Sequence, residues 1–166
     1  MTPLTYSPIG IAHAIAATAA LVSGAWVLVT PKGTSAHRRV GWVYVASMVW
    51  VNISALTIRH LTGRYNFFHV LAAVSLTMVV GGVAQSVYRA RLRRWLWRHY
   101  QYMSWSYAGL VAGAANEACV RLPGLREYSA STGNRLAVLG SAVVIGVAAA
   151  LILANQRRLV TRFERT

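Results

Sequence analysis

Five apolar runs, each about the length that a helix needs to cross a bilayer, take up most of this chain. A spanning helix needs about 20 mostly apolar residues. The runs cover residues 8–30, 39–61, 67–88, 99–122 and 134–154. Pro8 suits an early helical position, where a missing N–H costs nothing. Pro31 stops the first run and Pro123 ends the fourth. A transmembrane barrel needs apolar and polar residues in alternation, and these runs show none. The expected fold is all-α: an integral membrane bundle of five transmembrane helices forming a single transmembrane domain over residues 1–166. Residues 1–7 hold no Lys or Arg before the first apolar run, so no cleaved signal is expected.

The charges are one-sided, with 17 Lys+Arg against 3 Asp+Glu. On a water-soluble fold such an excess would suggest nucleic acid. Here the basic residues sit in the gaps between apolar runs, where cytoplasmic loops of membrane proteins carry theirs. That placement argues against a nucleic-acid partner and for a cell-membrane, multi-pass protein. Lys32, Arg38 and Arg39 follow the first run, and Arg89, Arg91, Arg93, Arg94 and Arg98 follow the third. Arg157, Arg158, Arg162 and Arg165 follow the fifth. The opposite side holds only Arg59, Arg64, Arg121, Arg126 and Arg135. The positive-inside rule then predicts the N-terminus outside and the C-terminus in the cytoplasm. Trp42, Trp95, Trp97 and Tyr100 fall near cytoplasmic ends, as interfacial aromatics should. The Arg89–Arg98 run reads as a topology determinant and a contact for anionic lipid headgroups. Cys119, the single cysteine, excludes an internal disulfide.

Small and polar residues align on helix faces. His13, Ala17, Ala20 and Gly24 form one such stripe; His99, Met103, Ser106, Leu110, Gly113 and Glu117 form another. Gly81 and Gly82 mark a close approach on the third helix. Small residues let membrane helices pack closely where lipid supplies no hydrophobic drive. Bundle packing alone accounts for these stripes, in one chain or in a homo- or hetero-oligomer.

Ionisable residues inside apolar segments are costly and usually face the bundle interior. His13, His69 and Glu117 are predicted at one outer level, where two imidazoles and a carboxylate suit zinc or another transition metal or a proton-handling cluster. His37 and His99 form an inner level, with Met103 one turn beyond His99 and Met48 deeper in the second helix. On one helix, His99 and Glu117 lie about 27 Å apart along the axis on a shared face. In an up-down four-helix bundle, diagonal helices stand about 11–14 Å apart, which leaves room for haem b between His13 and His69, and between His37 and His99. Haem ligation by His is well precedented. Other readings stay open. His37 and His99, beside Arg38 and Arg98, also suit the lipid interface, and His13 and His69 also suit interhelical hydrogen bonding. His60 suits a solvated loop, and Glu117 an ion pair with Arg121.

An intramembrane His in the first helix, then Lys32-Gly33-Thr34 with His37-Arg38 and Gly41, then Phe68-His69, then His99 followed by Met103, resembles a family of small bacterial multi-pass membrane proteins of unknown function. The resemblance covers about residues 10–122, and the KGT-x-x-HR-x-x-G element is its most specific part. The His-bearing helices are also similar in architecture to two-haem cytochrome b folds, which implies bis-His haem and transmembrane electron transfer. Fold likeness alone does not give function. Three readings follow: a redox or metal-binding membrane protein, a non-enzymatic subunit or assembly factor that binds no cofactor, and a metal-dependent enzyme or carrier using His13, His69 and Glu117.

Overall fold

The computed structural model describes residues 8–57, 67–121, 125 and 135–163. Among the described residues five helices are given bounds: α1 (Pro8–Val29), α2 (Ser35–Thr57), α3 (Phe67–Val87), α4 (Trp95–Arg121) and α5 (Arg135–Phe163). Four of them contain stretches long and apolar enough to cross a membrane: α1, α2, His69–Val87 of α3 and Val138–Gln156 of α5. The exception is α4, which is richer in polar and aromatic residues. It is also the most shielded: from His99 to Cys119 no described side chain is exposed.

The surface is inverted relative to a water-soluble protein. Ile15, Val22, Val29, Val143, Val147 and Leu151 are exposed, whereas Ser23, Asn52, Ser54, Ser104, Ser106 and Asn116 are buried. Lipid is as apolar as leucine, so large apolar side chains gain nothing by turning inward, while polar groups must.

The chain divides into two compact units, Met1–Val79 and Val80–Thr166. In the first, α1 packs against α2. Ala20, Ser23 and Gly24 form the buried face of α1, and Tyr44, Met48, Asn52 and Ser54 that of α2. Ala20 and Gly24 belong to the stripe expected from the sequence. The buried amide of Asn52 donates back to the Met48 carbonyl at 2.8 Å.

The KGT-x-x-HR element is the joint between these helices. Lys32 Nζ donates to the Val27 and Leu28 carbonyls at the end of α1. Gly33 takes the left-handed φ of 80° that a sharp exit requires. Thr34 precedes the first residue of α2 and accepts from the His37 N–H at 3.0 Å, which makes it the N-cap. The Arg38 guanidinium returns to the Gly33 carbonyl at 2.9 Å. This capping starts α2 at Ser35, four residues ahead of the expected 39. Two other boundaries also move outward: α4 starts at Trp95 rather than 99, and α5 runs to Phe163 rather than 154. In each case basic residues placed in a gap belong to a helix. Arginine is a good helix former, so its charge marks the membrane boundary and not the helix end.

In the second unit α5 packs antiparallel on α4. The Ser141 hydroxyl donates to the Ala112 carbonyl at 3.3 Å near one end. Near the other, the Tyr100 hydroxyl donates to the Ile152 carbonyl, and the Gln101 amide to Gln156. The C-terminal part of α3 approaches α4 closely. A Cβ on Gly81 would lie 2.9 Å from the Tyr102 ring, and one on Gly82 would lie 3.0 Å from Met103 Sδ. A ring cannot yield as a thioether chain can. Gly81→Ala should therefore cost more stability than Gly82→Ala, by about 1 kcal/mol or more, in thermal unfolding of the detergent-solubilised protein. Gly41→Ala, whose Cβ meets nothing within 4 Å, should be neutral or stabilising.

Candidate functional site

Two imidazoles are held by hydrogen bonds that cross between helices. On α4, His99 Nδ1 lies 2.8 Å from the Gly82 carbonyl of α3. A carbonyl only accepts, so this nitrogen carries the hydrogen. The bond depends on the glycine pair, because a side chain at Gly81 or Gly82 would push α4 away. Met103 packs its thioether against the same glycine. His99 and Met103, one turn apart, thus converge on Gly82.

On α1, His13 Nδ1 lies 2.7 Å from the Ser54 hydroxyl of α2. Ser54 has one hydrogen to give, and the Trp50 and Val51 carbonyls lie 2.7 and 3.0 Å from its oxygen. Were that hydrogen spent on the imidazole, the serine oxygen would face both carbonyls with lone pairs only. The serine therefore bonds back to its own helix and accepts from His13 Nδ1–H. In a neutral imidazole the second nitrogen is then the lone-pair donor. His13 and His99 both present Nε2 in that form. Metal-ligating histidines show the same arrangement, in which the far N–H is held by a carbonyl or other acceptor that fixes tautomer and ring orientation.

The remaining candidates have distinct surroundings. His69 is buried on the α3 face formed with Ala72, Ser75 and Val79, and its Nε2 is screened from solvent. His37 sits in the first turn of α2, half-buried, with Nδ1 likewise screened. Glu117 is half-buried on α4 beside the buried Asn116. His13, His37 and His69 belong to the first unit, and His99 and Glu117 to the second. His60 and the Arg121 side chain lie outside the described residues.

Among the described residues, no three of His, Cys, Asp and Glu come together as a metal ion would need. Of the expected set, His13 and His69 lie in the first unit and Glu117 in the second. Equal depth along separate helices, which is what the sequence gives, says nothing about rotation around each helix axis. Sequence reasoning also missed Ser54 and the Gly82 carbonyl as partners. A serine among apolar residues is a signal for the first. No sequence signal identifies the second, since every residue has a carbonyl.

The tautomers can be read directly. Ring 15N spectra of the neutral protein should show Nδ1–H with an unprotonated Nε2 at both His13 and His99. Ser54→Ala should perturb His13 alone and cost about 0.6 kcal/mol, the average for an interhelical bond in lipid. An Nε2–H tautomer at either ring would contradict the assignment.

A family model described as "Predicted membrane protein (DUF2306)" matches residues 10–154. The match extends beyond the 10–122 region expected from the sequence and takes in most of α5, in keeping with the packing of α5 on α4. No curated protein and no solved structure matches the chain. Spanning-length helices and a family match over most of its length make this chain a member of the DUF2306 family of predicted membrane proteins.

Proposed function

We propose that this membrane protein holds haem b through intramembrane histidines and serves transmembrane electron transfer in a cell membrane. The reading is carried by one observation: His13 and His99 each engage Nδ1 as a donor, the state in which Nε2 is a competent ligand. His13 and His69 would hold one haem, and the buried, screened imidazole of His69 suits that role. Bound between two imidazoles, a haem supplies reversible one-electron chemistry whose potential depends on axial ligands, hydrogen bonding and burial. The chain's own part is to fix ring orientation and to exclude water. The Ser54 hydroxyl does the first for His13 and the Gly82 carbonyl for His99.

A second reading has an observation of its own. The same two hydrogen bonds join α1 to α2 and α3 to α4, which is what polar residues do when they only specify packing. A non-enzymatic subunit or assembly factor would need no more.

Absorbance separates the two readings. Protein purified in detergent from haem-sufficient cells should give a reduced-minus-oxidised spectrum with b-type bands. His13→Ala and His69→Ala should abolish the first haem, and Ser54→Ala should shift its midpoint potential without removing it. A colourless protein that retains no added haemin, and whose His13→Ala variant loses only thermal stability, would leave the packing reading standing.

A further inference from the structure

The segment joining α3 to α4 carries Arg89, Arg91, Arg93, Arg94 and, in the first turn of α4, Arg98, and all five are exposed. The chain has almost nothing with which to neutralise them. It contains 3 acidic residues, and Glu117 is the one acidic residue among those described. Glu117 lies at the far end of α4, about 28 Å along the axis from Arg98. That exceeds the Debye length of about 10 Å at ordinary ionic strength. Among the described residues, none supplies a counter-charge to this loop.

The surrounding residues indicate its source. Tyr88 and Trp97 are exposed on either side of Arg89, Arg91, Arg93 and Arg94, and Trp95 is half-buried. Exposed Tyr and Trp beside spanning segments belong at headgroup depth. A basic loop at that depth faces lipid phosphates, and a planar guanidinium can engage a phosphate bidentately.

The backbone adds an independent observation. Arg94 has a φ of 56°, the one non-glycine residue given a positive φ among those described. Its carbonyl accepts from the Arg98 N–H at 3.1 Å and so begins α4. Glycine would take this left-handed conformation without strain, and asparagine with little. An arginine there carries a backbone cost that its exposed side chain does not recover among the described residues. Strain held at one residue points to a role for that residue beyond the fold.

We infer that residues 88–98 form a binding site for anionic phospholipid headgroups, with Arg91, Arg93 and Arg94 as the phosphate-engaging groups and Tyr88 and Trp97 as its interfacial flanks. Neither haem binding nor its absence bears on this site.

The test uses the full chain purified in neutral detergent with phosphatidylcholine and titrated with phosphatidylglycerol. Bound lipid is read by native mass spectrometry and stability by thermal unfolding. Phosphatidylglycerol should bind and raise the unfolding temperature, whereas further phosphatidylcholine should do neither. Arg91→Gln, Arg93→Gln and Arg94→Gln combined should weaken phosphatidylglycerol binding by about a hundredfold, taking the usual contribution of each basic residue near an anionic surface. Arg39→Gln, on an exposed residue in the first turn of α2, should leave it unchanged. Arg94→Gly should separate the two roles of this position, raising the unfolding temperature without phosphatidylglycerol while reducing the rise that the lipid produces. Equal stabilisation by both lipids, undiminished phosphatidylglycerol binding in the triple variant, or an Arg94→Gly variant with the full lipid response would each overturn the site.

Discussion

Water is absent from the core of a bilayer, so every polar group that a helix carries there needs a partner within the protein. An unsatisfied group at that depth costs several kcal/mol, more than most single packing contacts supply. Ser75 Oγ and Gln85 Oε1 find no hydrogen-bond partner among the described residues; other polar side chains meet this demand in two ways. Serines and threonines bond back to carbonyls of their own helix, as Ser23, Ser54, Thr77 and Ser106 do. His13, His99, Tyr100, Gln101 and Ser141 instead reach a neighbouring helix. The second group ties α1 to α2, α3 to α4 and α4 to α5, so satisfying the polar groups also fixes which helices pair.

This demand accounts for α4. Its polar and aromatic residues would make it a poor lipid-facing helix, and it is the helix with no exposed side chain from His99 to Cys119. The helices with exposed valine, isoleucine and leucine are the apolar ones. Hydropathy and burial run opposite to their order in a soluble domain, because the solvent here is hydrocarbon. The proposed ligand chemistry sits within that order, with imidazoles shielded from water and held by partners that fix their tautomer.

Much of the fold was legible in the sequence because run length and composition suffice to place a spanning helix. The N-terminal limits of α1 and α3 fall where the apolar runs begin, at Pro8 and Phe67. The helices α2 and α4 start ahead of their apolar runs, because arginines extend both of them beyond the apolar stretch. The Thr34 cap that begins α2 was in plain sight, three residues before His37. That His13, His69 and His99 sit within helices was also legible, since each falls in or beside an apolar run. Their partners were not. Which way a ring turns depends on the rotation of its helix, and that follows from contacts such as Gly82 against Met103. The KGT-x-x-HR element was recognised as distinctive, and its structural role is that of a double cap between two antiparallel helices.

In the bilayer α4 is the shielded polar helix, and lipid meets the others. A small carbene-generating hydrophobic probe, photolysed in the protein's native membrane and mapped by peptide mass spectrometry, addresses it without any substitution. Label should fall on outward residues such as Val22 of α1 and Val143, Val147 and Leu151 of α5, with His99–Cys119 spared. Labelling of α4 as heavy as that of α5 would contradict it.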